Sequence, residues 1–164
     1  GTAATINSQA YVKAIHALDA GITVFSAACP KFVEIVEQGM VSEANFFRPK
    51  TYNLAKGYLT PLLRAGIDSL ILGCTHYPLL QELLQKVVGQ DIVLISSAQE
   101  TALEVKQLLE RKGQLRQERS LPEYKFFATG DPEQFAFLGS RFLDRKIAEV
   151  NFLPLERMFS YPKL

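Results

Sequence analysis

Four short apolar runs punctuate the chain: GITVFSA (residues 21–27), DSLILG (68–73), DIVLIS (91–96) and YKFFAT (124–129). None alternates with polar positions, which is the pattern of strands covered on both faces. Helical patterns lie between them. Ser8 or Asn7 is placed to cap residues 9–20, with Ala10, Ala14, Ala17 and Leu18 as the stripe. Pro30 opens KFVEIVEQ, and Gly39 closes it. The stretch TYNLAKGYLTPLLRAG carries Leu54, Tyr58, Leu59, Leu62 and Leu63 on one side, and Pro61 there must kink the helix or start a new turn. PLLQELLQKVV repeats the stripe with Leu80, Leu83, Leu84 and Val87. Ser97 and Glu100 stand in capping-box spacing before the next helix, and Asp131 followed by Pro132 opens the last one. Alternating strands and helices predict an α/β fold with a mainly parallel sheet flanked by helices. Residues 112–123 are polar and hold the one plausible linker.

Composition narrows the function. The chain has 164 residues, 48% hydrophobic and 21% charged, enough for one substantial domain or two small ones. A formal charge of +1 and the absence of long like-charge runs give no field that favours nucleic acid or an anionic membrane. No apolar stretch approaches the roughly 20 residues of a membrane span, and the N-terminus has no signal-peptide pattern, so a cytoplasmic protein acting on a small molecule is expected. Two cysteines, Cys29 and Cys74, suit a reducing compartment with free thiols.

The chemistry concentrates in LILGCTHYPLL (residues 70–80), where an apolar run ends in Cys74, Thr75, His76 and Tyr77 before a proline opens a helix. Ligands of open parallel sheets collect at the carboxyl ends of strands, where Cys74 falls. The helix start beyond it would favour a thiolate and a bound carboxylate, and His76 is placed to relay a proton. The competing reading is a small buried cysteine of structural use. A metal site assembled from Cys74, His76, Cys29 and His16 has the ligand count but none of the usual spacings. Cys29 lacks acid–base neighbours and reads as structural, His16 as a surface or half-buried residue, and the pair Glu34 and Glu37 as a solvated helix face.

These residues resemble the second cysteine motif of the glutamate racemases. The resemblance extends through GTAATINSQAY, ACPKFVEIVEQG, SAQETALEVKQLL and FFATGDPEQFAFLGSRFL, in the family's order. It implies a cofactor-independent interconversion of L- and D-glutamate for peptidoglycan synthesis, with two cysteines as acid and base on opposite faces of the α-carbon. Cys74 would be the second of these, His76 its assistant, Thr75 the holder of the substrate α-carboxylate, and Glu37 a glutamate near the substrate. No metal or other cofactor is implied. The family's N-terminal Asp-Ser pair and first catalytic cysteine have no counterpart in the sequence, which therefore reads as a fragment lacking the N-terminal half and inactive alone. Lesser departures are Glu34 where many members have Pro, and Ser96 where many have Asp. On the family's two-domain plan, residues 1–95 would form the second domain, 96–155 a helix–strand segment returning to the first, and 156–164 a tail. Phe126, Phe135 and Phe142 would then lack their cover. A homo-oligomer is compatible with this reading. The alternatives are a catalytically silent binding or assembly module of the same fold, a related aspartate racemase, or a single-cysteine decarboxylase of the superfamily.

Overall fold

The computed structural model describes residues 1–46, 48–118 and 120–158; positions 159–164 of the expected tail lie outside them. The chain divides into two compact units, Gly1–Leu115 and Arg116–Leu164, and the division falls inside the polar stretch expected to be a linker.

The first unit runs α1 (Ala3–Ser8), α2 (Ala10–Leu18), α3 (Lys31–Glu37), α4 (Glu43–Phe46), α5 (Pro49–Arg64), β1 (Ser69–Leu72), a 3-10 turn (Tyr77–Leu80), α6 (Gln81–Val88), β2 (Val93–Ser96) and α7 (Ser97–Arg111). β1 and β2 pair in parallel, with Ser69 opposite Val93 and Leu72 opposite Ser96. The apolar side chains of α3, α5, α6 and the 3-10 turn close one face into a core of Phe32, Val36, Leu59, Leu80, Leu83 and Leu84. Each such side chain contributes about 1.5–3 kcal/mol on burial.

The helix expected over residues 9–20 is instead two helices. Thr2 accepts from Thr5 N–H and starts α1, and Gln9, at φ 54°, breaks the run before α2. The covered side of α2 is Tyr11, Val12 and Ile15, whereas Leu18 of the expected stripe is 89% exposed. α5 continues through Pro61, whose ring faces solvent where the missing hydrogen bond is cheapest. The cap of α7 is Ser96, one residue before the expected Ser97, and its hydroxyl accepts from Gln99 N–H. Ser and Asp serve equally well at that position. The expected strand at residues 21–27 does not form: Gly21 and Ile22 lie in a turn and a bend, and residues 23–27 pair with no strand among the described residues, although Gly1 N donates to Ala27 O (3.0 Å).

The second unit holds β3 (Phe127–Ala128), α8 (Pro132–Phe142), β4 (Asn151–Phe152) and α9 (Leu155–Met158). β3 and β4 pair in parallel, β4 being an element the sequence pattern does not announce. Asp131 caps α8 through the Glu133 and Gln134 N–H groups, as expected. Phe126, expected to be bare, is partly covered by the rings of Tyr124 and Phe135. Phe127, Phe137 and Phe152 are the most exposed of the unit's described phenylalanines, Phe137 with the Arg141 guanidinium over its ring at 4.2 Å, and Phe135 and Phe142 are less so.

Candidate active site

β1 ends abruptly. Gly73 N–H donates to Ile71 O (3.0 Å) and Cys74 N–H to Leu72 O (2.9 Å), so the chain turns out of the strand within two residues. Gly73 is required there, because a Cβ would stand 2.9 Å from the Tyr11 ring. The helix expected from Pro78 begins as the 3-10 turn, and α6 proper starts at Gln81. Cys74, Thr75 and His76 thus occupy a tight turn at the carboxyl end of a parallel strand.

His76 is the centre of the arrangement. Its Nδ1 lies 3.9 Å from Cys74 Sγ and 3.4 Å from Thr75 Oγ1, and its Nε2 lies 3.3 Å from Glu37 Oε1 at the end of α3. A carboxylate at Nε2 favours the tautomer with the proton on Nε2, which leaves Nδ1 bare to receive the thiol proton. Thiol, imidazole and carboxylate therefore form a row along which a proton can be drawn from sulfur. Cys74 and His76 are half-buried, Thr75 and Glu37 exposed, so the row opens to solvent. The backbone N–H groups of Thr75 and His76 take no bond among the described residues, and with the Thr75 hydroxyl they offer donors to a small anion.

Tyr77, which the polar run had seemed to contribute to the site, belongs to the core. It is 3% exposed, its ring meets Phe32 edge-on at 5.3 Å, and its hydroxyl reaches the carbonyls of Gly1 and Cys29, both at 2.9 Å. Burial pushes the phenol well up, and the neighbouring thiols of Cys29 and Cys74 add to the shift. Cys29 is 4% exposed, and burial pushes its thiol up while the Gly1 ammonium opposes. His16 turns to Ile22 O and Glu34 pairs with Lys31, so neither joins Cys74. Among the described residues no three His, Cys, Asp or Glu side chains gather as a metal site would require, and no helix is long and apolar enough to cross a membrane.

No protein-family profile matches the chain. Its fold is that of α/β amino-acid racemases of known structure: a Bacillus anthracis glutamate racemase superposes with TM-score 0.80 at 40% identity over 92% of this chain and 54% of that one. The Francisella tularensis glutamate racemase, solved with D-glutamate, gives 0.82 at 35% identity over 98% of this chain and 57% of that one. In sequence the chain is similar to glutamate racemases. The Mycobacterium ulcerans and Mycobacterium leprae enzymes share 49% and 47% identity over 92% of the chain. The chain spans about half the length of these relatives, 54% and 53%.

Proposed function

We propose that the chain supplies one half of the active site of a glutamate racemase, a cofactor-independent isomerase that interconverts L- and D-glutamate. The observation that carries this reading is the row Cys74–His76–Glu37 at a parallel-strand end, with spacings of 3.9 and 3.3 Å. Cys74, as thiolate, removes the α-proton of one enantiomer from its own face of the α-carbon; in the reverse direction, once the second thiolate has taken the α-proton of the other enantiomer from the opposite face, Cys74 as thiol delivers its proton to its own face of the planar intermediate. His76 takes and gives back the sulfur's proton, and Glu37 holds the imidazole in the tautomer that can do so. Glu37 is thereby a positioning residue, one step removed from the substrate contact expected of it. Thr75 and the free N–H groups of the turn hold the α-carboxylate. The second thiol, on the other face of the α-carbon, comes from an N-terminal half that the relatives possess. On this reading residues 1–95 are one racemase domain, 96–155 returns to the other, and the enzyme is cytoplasmic and supplies D-glutamate for peptidoglycan.

The test is complementation. The chain is produced together with the N-terminal half of a relative, and D-glutamate formed from L-glutamate is followed by circular dichroism. Turnover that disappears with Cys74→Ser and falls 10²–10⁴-fold with His76→Ala is expected. Turnover indifferent to Cys74→Ser would overturn the assignment.

A further inference from the structure

Gly73 is the hinge between β1 and the turn that carries Cys74, and it has no side chain to fix its own shape. Its φ is not positive, so the backbone angle does not call for glycine. What excludes a side chain is a neighbour: the Tyr11 ring presents Cε2, Cζ and Oη at 2.9, 3.2 and 3.4 Å from the place a Cβ would occupy. Two three-residue turns follow one another at this point, Gly73 N–H to Ile71 O and Cys74 N–H to Leu72 O. Glycine has the widest choice of backbone angles in such a turn, and the ring closes off one side of that choice. The helix that brings the ring there does little else. Gln9, in a left-handed conformation that a non-glycine residue adopts only at a cost, separates α1 from α2, and Tyr11 follows two residues later on the covered side of α2. No side chain of α2 is fully buried. The far end of the site turn is held by other means, since Tyr77 sits in the core and His76 meets Glu37.

We propose that Tyr11 is a positioning residue for Cys74: its ring, wedged on Gly73, fixes the direction in which the chain leaves β1 and so keeps Sγ within 3.9 Å of His76 Nδ1. The inference rests on the reading of Cys74, His76 and Glu37 as a proton row, and it adds the element that aligns the first member. Without the ring, Gly73 regains its freedom and Cys74 swings, while His76 stays on Glu37. The sulfur then loses the imidazole that favours its thiolate. The ring acts here and not the hydroxyl, because Cε2 and Cζ lie closer to the Gly73 Cβ place than Oη does. The other groups that act electrostatically on the sulfur, the Gly1 amino group and the Tyr77 hydroxyl, are present in every Tyr11 variant.

The test is the pH profile of Cys74 alkylation by iodoacetamide on the whole chain. Tyr11→Ala should slow the reaction about three- to tenfold at neutral pH, the worth of one hydrogen bond to a charged group. Above about pH 10, where a thiol ionises without help, the difference should shrink below about twofold. Tyr11→Phe keeps the ring and should follow the parent throughout, and in a His76→Ala background Tyr11→Ala should change nothing. Gly73→Ala gives a second arm. Alone it collides with the ring and should also slow the reaction; combined with Tyr11→Ala its methyl takes the vacated place and should bring the rate back to within about twofold of the parent. A contact that merely supports the fold would lower the melting temperature and leave the pH profile where it was, which would overturn the proposal. So would a Tyr11→Phe variant as slow as Tyr11→Ala, in favour of the hydroxyl, and so would a Tyr11→Ala profile equal to the parent's while His76→Ala still slows the reaction. If His76→Ala is itself without effect, the proton row fails, and the proposed function with it.

Discussion

Replacing Tyr77 with Phe removes one oxygen from the centre of the first unit and leaves the ring against Phe32. That oxygen bonds two carbonyls, those of Gly1 and Cys29. Neither would be orphaned, because Gly1 O keeps the Cys29 N–H and Cys29 O keeps the Phe32 N–H at 3.1 Å. A single hydroxyl hydrogen shared between two acceptors contributes about one net hydrogen bond, so the loss should be about 1–2 kcal/mol, at the low end of what a buried polar deletion costs. Over a unit of this size that lowers the melting temperature by roughly 4–8 °C. Tyr77→Ala also empties the space beside Phe32 and should cost about 3–5 kcal/mol, a large part of a typical domain's stability.

Thermal and urea unfolding at neutral pH, followed by circular dichroism, separate these expectations. The Phe variant should melt a few degrees lower with an unchanged urea slope, and Cys74 should alkylate at the parent's rate, since the hydroxyl faces the core. A Phe variant as stable as the parent would mean that the hydroxyl ties nothing together. One as damaged as the Ala variant would mean that the two carbonyls depend on it entirely, against the bonding described.

Cys74 should react with limiting iodoacetamide at least about tenfold faster than Cys29, since only the former is accessible and beside an imidazole; peptide mapping reads the order, and earlier labelling of Cys29 would contradict it. Glu37→Gln should slow Cys74 alkylation by up to about fivefold, the range of a half-exposed pair worth about 0.2–1 kcal/mol, and should have no effect in a His76→Ala background. Stability should pass through a maximum between about pH 8 and 9. The Gly1 amino group, lowered from 8.0 when folded, penalises the fold until it deprotonates, so stability rises towards that value. Cys29 and Tyr77, raised from 9.0 and 10.0, hold their protons more tightly when folded, so their contributions are full below those values and are lost above them. Melts from pH 6 to 11 should show the alkaline fall reduced by Cys29→Ala and Tyr77→Phe.

The parallel pair β1 and β2 was legible because unbroken apolar runs such as LIL and VLI mark strands buried on both faces. The caps at Asp131 and Pro30 were legible because their chemistry is local. What escaped depended on backbone or distant partners. The break between α1 and α2 rests on a left-handed Gln9, a conformation that no side-chain pattern requires. Ser96 and Ser97 are adjacent and alike, and only the chain direction leaving β2 decides which one caps. Residues 21–27 have the composition of a strand, yet a strand exists only with a neighbour's ladder. Tyr77 looked chemical because it stands beside Cys74 and His76, whereas its partners Gly1 and Cys29 lie 76 and 48 positions away. Glu37 reads as a solvated helix acid until α3 brings it to His76, and the signal for it in sequence was the family resemblance alone.

On the proposed reading, the row Cys74–His76–Glu37 draws a proton from a thiol, and inversion calls for a second group. Inversion needs one group to take the α-proton and another to deliver a proton to the opposite face. Cys29 cannot be that second group, because it is 4% exposed and its sulfur turns to Ala27 O at 3.7 Å. His76 lies on the same side as Cys74, within 3.9 Å of its sulfur. The turn is also open to water, which weakens the electrostatic help that an enclosed cleft gives to a developing carbanion. The chain alone, incubated with L-glutamate in heavy water, should therefore form no D-glutamate. Any deuterium found at the α-carbon should be in the L-enantiomer, because the same thiol returns a proton to the face from which it took one. Chiral chromatography with mass detection reads both quantities at once. Steady accumulation of deuterated D-glutamate, abolished by Cys74→Ser, would show that a second acid–base group already faces the α-carbon within these 164 residues, and His76→Gln would then be the first substitution to examine.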